Sequence, residues 1–271
     1  MKQVVGKVAF ITGAANGAGF GMAQVFAKSG MKVVLADIRQ DSLDRAMAHF
    51  GKNPKVHAIR LDVADRTEFA RAADEAEKVF GKVHVVCNNA GVNLFVPMEE
   101  CTYNDWDWLM GVNFWGVVNG IQTFIPRIRK HGEGGHIVNT ASMAAFLPSA
   151  AAGIYTASKY AVRGLSEALR LTLHQYNIGV SVFCPGLIDS SIYESEKVRP
   201  LNLASPENTA KSQKTMDILP AVHKLGMSPE EVGAKVLAGI IRNDMYIFSH
   251  PEFREELQEI FDEILAALPN E

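Results

Sequence analysis

Short apolar runs alternate along the chain with longer stretches whose apolar positions recur at helical spacing. Val8–Thr12 is the first such run; glycines follow it, and then a helix-like stretch to Lys28. Lys32–Ala36 repeats the run, and Asp41–Phe50 is polar with periodic apolar positions. Val56–Leu61 predicts a third strand with Arg66–Phe80 as its helix, and Val83–Cys87 predicts a fourth. Ile137–Thr140 and Val180–Cys184 continue the series after long helical segments. Strands buried on both faces read as apolar runs. Their alternation with helices predicts a parallel sheet with right-handed crossovers. The expected fold class is therefore α/β, a single doubly wound parallel sheet with helices on both faces. No repeat, low-complexity tract or linker divides residues 1–271, so a single domain is expected.

One segment breaks this rhythm. Leu187 to Ser228 holds Pro200, Pro206 and Pro220 among many polar residues. A connection of that length is usually a functional lid or a mobile insert, so a substrate lid is expected at about 187–228. Helix is expected again over Pro229–Ile241, a short strand at Met245–Phe248, and an amphipathic helix near Glu252–Leu268.

Composition narrows the function classes. With 48% hydrophobic and 21% charged residues the chain is ordinary for a globular protein. A formal net charge of −3 argues against a nucleic-acid partner. Cys87, Cys101 and Cys184 lie far apart without a CxxC, which points to buried thiols in a reducing compartment rather than to disulfides or a metal. No signal-peptide pattern and no apolar run of about 18 residues is present. A cytoplasmic protein with no membrane partner and no metal is expected.

After the first strand comes Thr12-Gly13-Ala14-Ala15-Asn16-Gly17-Ala18-Gly19-Phe20-Gly21. Glycines suit a place where a strand turns tightly into a helix and a pyrophosphate approaches the backbone. A turn without a ligand is the bland alternative. Asp37 closes the second strand, about 20 residues on, where an acidic residue accepts hydrogen bonds from an adenosine ribose. Its charge would repel a 2′-phosphate, so NAD is expected over NADP, although Arg39 keeps NADP open; an exposed Asp37 capping the next helix is the bland alternative. Asp62, followed by Val63, and Asn88-Asn89-Ala90-Gly91 end the third and fourth strands. Asp62 is either a ligand contact or a helix cap. All these segments are expected at one sheet edge, that of a Rossmann-type dinucleotide fold.

The chemistry centres on Tyr155-Thr156-Ala157-Ser158-Lys159, where spacing of i to i+4 puts Tyr155 and Lys159 on one helical face. Ser142 stands just past the fifth strand, and Asn113 lies in a long helical segment. Oxidising an alcohol by hydride loss needs a base for the hydroxyl proton. A phenol of pKa near 10 needs roughly 4 kcal/mol of help to act near neutrality. A lysine cation about 4 Å away supplies that order of energy at an effective dielectric of 20. Ser142 is expected to hold the substrate oxygen, and Asn113 a water that passes the proton outward.

These motifs together resemble the short-chain dehydrogenase/reductase family over nearly the whole chain. The resemblance rests on Thr12–Gly19, Asn88–Gly91, Asn113, Ser142, Tyr155–Lys159 and Pro185-Gly186. It implies an NAD(P)-dependent alcohol dehydrogenase or ketone reductase with Asn113, Ser142, Tyr155 and Lys159 as catalytic residues. It implies that Gly13, Asn16, Gly17, Ala18, Gly19, Asp37, Asp62, Val63, Asn89, Ala90 and Gly91 bind the cofactor. Tyr155 and Lys159 join them, Lys159 at the nicotinamide ribose, with Ile188 and Ser190 by the carboxamide. Two positions depart from the family: Ala18 replaces a branched aliphatic residue, and Ser190 replaces a threonine. A non-catalytic dinucleotide sensor on the same fold is the alternative class, and the filled catalytic positions argue against it.

The loops at the strand ends carry Leu94, Phe95, Val96, Met143, Phe146, Leu147, Leu187, Ile192 and Tyr193. Of these, Phe95, Met143, Phe146, Leu187, Ile192 and Tyr193 are expected to line a pocket for a hydrophobic alcohol or ketone. Lys197, Arg199, Lys211 and Lys214 are expected to be solvated, with binding of a carboxylate or phosphate as the alternative. Gly19–Gly21, Ala36–Gln40 and Tyr246–Arg254 are similar to the bacterial Cα-dehydrogenases of lignin β-aryl ether breakdown. That likeness implies a benzylic secondary alcohol, NAD and aromatic-compound catabolism; a steroid or acyl ketone is the alternative substrate. The family resemblance also implies a homo-oligomer, a dimer or tetramer, paired through the helices that carry Phe114, Trp115 and Leu165.

Overall fold

The computed structural model describes residues 1–269, without the side chain of Lys214. The chain runs β1 (Val8–Thr12), α1 (Gly17–Lys28), β2 (Lys32–Asp37), α2 (Gln40–Phe50), β3 (Val56–Arg60), α3 (Arg66–Phe80) and β4 (Val85–Asn88). It continues through α4 (Tyr103–Met110), a single π-helical turn (Gly111–Trp115), α5 (Gly116–His131), β5 (Gly135–Thr140), α6 (Gly153–Leu173) and β6 (Ile178–Cys184). After α7 (Pro206–Met216), α8 (Leu219–His223) and α9 (Pro229–Arg242) come β7 (Tyr246–Phe248) and α10 (Arg254–Ala266).

The strands form one parallel sheet of seven in the order β3-β2-β1-β4-β5-β6-β7. Every residue of β1, β4 and β5 is buried, which explains why these strands read as apolar runs. Two apolar clusters cover the two faces. Met22, Phe26, Val232 and Val236 from α1 and α9 pack on one, and Phe69, Phe124 and Ile128 from α3 and α5 on the other. Helix starts are set locally. The Asp65 carboxylate accepts from the Thr67 and Glu68 amides to start α3, and Thr102–Asp105 and Ser228–Glu231 form capping boxes for α4 and α9. Among the described residues no helix is long and apolar enough to cross a membrane.

The segment 187–228 differs from the polar, proline-broken loop its composition predicts. It contains α7, α8 and two stretches of 3-10 helix, Ile192–Val198 and Leu201–Leu203. Much of its polar content is buried: Ser195, Ser205, Asn208 and Ser212 are all shielded from solvent. Each finds a partner, Ser195 and Ser212 on the Asn93 and Phe95 amides, and Ser205 and Asn208 on the Asp105 carboxylate. These polar side chains serve as anchors for buried backbone.

Of the segment's described cations, Lys197 and Lys211 are exposed as expected, and only Arg199 departs from the expectation. Arg199 is buried, donates to Asp105 at 2.5 Å, and lies over the Trp108 ring at 4.6 Å. Lys197 pairs with Glu194, and Lys211 with Glu100 and Glu207. Lys214 falls outside the described side chains. These described cations bind carboxylates of the chain itself, which opposes the carboxylate- or phosphate-binding alternative.

The Asp105–Arg199 pair has no exposure to share its charge with water, so removing one partner strands the other. We predict that Arg199→Met lowers unfolding stability by about 3 kcal/mol in urea denaturation. A loss below about 1 kcal/mol would show that the segment is held by its hydrogen bonds instead.

Candidate active site

The sheet order reverses between β1 and β4, and the loops leaving the carboxyl ends of these strands part there. A cavity of about 780 Å³ fills that gap. Gly13, Asn16, Gly17, Ala18, Asp37, Asp62, Val63, Asn89, Ala90 and Gly91 line one part of it. Ser142, Tyr155, Lys159, Ile188 and Ser190 line its middle, with Phe95, Met143, Leu187 and Ile192 nearby. Distant segments that the sequence assigned to one edge therefore share one wall.

The first turn of α1 has an arrangement that suits a phosphate. Gly13 and Gly17 have φ of +62° and +50°, backbone that favours glycine. A Cβ on Gly17 would lie 2.7 Å from the Ser190 Cβ, so the cradle needs the hydrogen there. The N-cap Asn16 makes no capping bond, and the first turn carries no acidic residue. Amide donors at the positive end of the helix are thus left without a side-chain acceptor beside an open cavity. These features fit the pyrophosphate of a dinucleotide.

Asp37 does not cap α2. Its carboxylate accepts from the Ala15 and Arg39 amides at 3.1 and 3.0 Å and faces the cavity. Burial pushes its pKa up, and these amides pull it back. Asp62 is likewise not the cap of α3, a place taken by Asp65; its Oδ1 accepts from the Ala64 amide. Asn89 binds the first and fifth strands together: its Nδ2 donates to the Thr12 and Gly13 carbonyls, and its Oδ1 accepts from Thr140.

Tyr155 and Lys159 sit in the first turns of α6, against the end of β5. The Lys159 ammonium is buried, donates to the Thr140 carbonyl at 3.0 Å, and lies 5.3 Å from the centroid of the Tyr155 ring. Burial depresses its pKa to about 8. The Tyr155 phenol shifts the other way from what was expected. Packing around it pushes its pKa above 10, with only the Ser142 hydroxyl pulling it down. The lysine stands over the ring face, and it is burial and the Ser142 hydroxyl that set the phenol's shift.

Four expected positions, Asn113, Phe146, Tyr193 and Gly19, do not line the cavity. Asn113 is buried behind the wall: its Oδ1 accepts from the Val92 amide, and its Nδ2 donates to the Val92 carbonyl and Ser158 Oγ. With both ends engaged, its side chain ties the β4 loop to α6. It sits in the π turn, where the regular i to i+4 bonding of the helix is interrupted. Phe146 turns away from the cavity and packs on Phe248 at 5.6 Å and Arg163 at 4.0 Å. Tyr193 lies behind the wall against His223, 5.6 Å between rings. Gly19 packs against Gly13, whose carbonyl a Cβ would strike, so close packing of the turn requires glycine there.

In their place the cavity is lined by Trp108, Val112, Val198, Leu203, His223 and Phe253. Trp108 and Val112 are four apart on a helical face, a spacing visible in the sequence, but periodicity does not tell a core from a cavity. Phe253 and His223 arrive from distant segments with no local signal.

The family model described as short chain dehydrogenase matches residues 7–199. A C alpha-dehydrogenase of a Sphingobium species is 43% identical over 267 residues, spanning 98% of this chain and 87% of that protein. A solved structure of a putative short-chain dehydrogenase from Novosphingobium aromaticivorans is 47% identical with a TM-score of 0.84, covering 98% of this chain and 89% of that one. A short-chain dehydrogenase/reductase from Burkholderia phymatum, solved in complex with NAD, is 34% identical with a TM-score of 0.90, covering 100% and 99%.

A phenol of raised pKa is protonated at neutral pH, ready to donate, and becomes a base only as the pH climbs. We therefore predict that alcohol oxidation accelerates with rising pH while ketone reduction slows at the alkaline end. Tyr155→Phe should abolish both directions and leave cofactor affinity nearly unchanged. Substantial turnover by that variant would remove Tyr155 from the chemistry.

Proposed function

We propose that this chain, which belongs to the short-chain dehydrogenase family and is an oxidoreductase, interconverts a hydrophobic, aromatic secondary alcohol and its ketone with NAD. The observation that carries the reading is the continuity of one cavity, from the glycine turn and Asp37, past Ser142, Tyr155 and Lys159, to an apolar chamber with Trp108 and Phe253. The Sphingobium relative, named C alpha-dehydrogenase, supports dehydrogenation at a secondary alcohol carbon, and the aromatic neighbour is what the likeness of Gly19–Gly21, Ala36–Gln40 and Tyr246–Arg254 implies.

NAD, when bound, supplies the hydride acceptor at the substrate carbon. The residues that would hold it are Gly13, Asn16, Gly17 and Ala18 at the pyrophosphate, and Asp37 at the adenosine ribose. Asp62, Val63, Asn89, Ala90 and Gly91 line the groove between, Lys159 takes the nicotinamide ribose, and Ile188 and Ser190 the carboxamide. The Ser142 hydroxyl donates to the substrate oxygen and fixes its direction. Tyr155 Oη accepts the hydroxyl proton during oxidation and returns it during reduction. Asn113 keeps the wall behind them rigid. The segment 187–228 covers the chamber and excludes water from the reacting atoms. Trp108, Val112, Val198 and Leu203 present an apolar surface that a bulky aromatic group covers better than a short aliphatic chain does.

The chain is further proposed to act as a dimer or tetramer through α5 and α6. Phe114 and Leu165 pack largely into the protomer's own core, whereas Trp115 and Leu171 stay 47% and 76% exposed.

Absorbance of NADH during incubation with matched benzylic and aliphatic secondary alcohols tests the substrate class. We expect kcat/KM at least about tenfold higher for the benzylic set, roughly 1.4 kcal/mol of selective burial. Equal rates, or faster turnover with NADP, would overturn the corresponding half of the proposal. Light scattering at micromolar concentration should give twice or four times the 29.6 kDa chain mass; a monomer would refute the assembly.

A further inference from the structure

Arg39 is a cation at the adenosine end that favours the phosphorylated cofactor, and its surroundings decide whether it is free to do so. It follows Asp37 by two positions and lines the same cavity. Asp41 takes one edge of its guanidinium, Nε to Oδ1 at 3.3 Å and Nη2 to Oδ2 at 2.9 Å. The other end is taken from across the groove: Nη1 donates to Glu194 Oε2 at 2.8 Å. Glu194 belongs to the 3-10 stretch Ile192–Val198, far from β2 in sequence, and also lines the cavity. Its second oxygen accepts from Lys197 at 2.7 Å, which holds the carboxylate in place. A second contact runs alongside, from the Ser191 amide to Asn16 Oδ1 at 3.3 Å.

Resting on the NAD reading above, we propose that Glu194 is a cofactor-selectivity residue. It reaches from the covering segment, neutralises Arg39, and so denies a 2′-phosphate the cation that would otherwise bind it. The fork of a guanidinium recognises phosphate through paired donors. Here carboxylates hold both ends of that fork, and a 2′-phosphate entering beside it would also meet the charges of Asp37, Asp41 and Glu194. Discrimination of this kind is built from repulsion as much as from attraction. A 2′-hydroxyl carries no charge and feels none of it. The same pair joins the adenosine end to a segment whose Ile192, Ser195 and Val198 line the chamber. Glu194 thereby also holds the covering segment against the cofactor groove.

The test is a double-mutant cycle with Glu194→Gln, Arg39→Gln and the double variant, read as Kd for NADH and for NADPH by fluorescence titration of the intact protein. Partly exposed ion pairs are modest in energy, so Glu194→Gln is expected to shift the NADPH-to-NADH affinity ratio about fivefold toward NADPH. In the Arg39→Gln background the same change should shift that ratio clearly less, because the cation it releases is gone and only the direct repulsion by Glu194 is removed. A merely structural role for Glu194 would weaken both cofactors alike in both backgrounds. An unchanged ratio after Glu194→Gln, or an equal shift with and without Arg39, overturns the inference. A parent protein that binds NADPH more tightly than NADH overturns the NAD reading, and the shift of the ratio still decides the role of Glu194.

Discussion

A parallel sheet whose crossovers share one hand must deliver the carboxyl end of every strand to the same edge. Where the strand order reverses, between β1 and β4, the following loops leave in opposite directions and nothing fills the space between them. The cavity, the uncapped start of α1 and the convergence of Asp37, Asp62 and Asn89 all follow from that geometry. Burial of the sheet on both faces makes the edge rigid, because moving one strand end would disturb two packed layers.

The site places ionisable groups where water is scarce, and each departure from ordinary behaviour has a local cause. Lys159 loses basicity through burial and keeps its place by donating to Thr140. Tyr155 becomes a weaker acid for the same reason, with Ser142 as its compensating neighbour. Two groups pushed toward their neutral forms beside an apolar chamber suit proton transfer better than either does in water. Asn113 and Ser158 contribute from behind by fixing the turn that carries Tyr155.

The covering segment is held at two places by charge. At the far end Arg199 is enclosed against Asp105 and Trp108, out of solvent. At the cofactor end Arg39 and Glu194 meet across the groove, partly exposed. The first pair is costly to break and anchors the segment. The second is weaker and better placed to respond to what occupies the groove. The segment is thus structured, with one firm and one yielding attachment.

The sequence by itself determined the α/β class, the strands and most helix limits, because each depends on local periodicity and capping residues. It also determined several cavity-lining positions: the glycine turn, Asp37, Ser142 and the Tyr155–Lys159 pair are close in sequence to elements whose edge is known once the sheet is parallel. Only the tertiary structure decided which side chains face the cavity. Phe146 and Tyr193 turn away while Trp108, His223 and Phe253 turn in, since an apolar residue fills a core and a pocket with the same pattern. Only it decided that Asn113 is spent on Val92 and Ser158, and that the polar residues of 187–228 are buried anchors. Charge pairing was illegible for the same reason. Arg39 and Glu194 are separated by 155 residues, and a side chain's partner across such a distance is set by how the layers pack, not by any local signal.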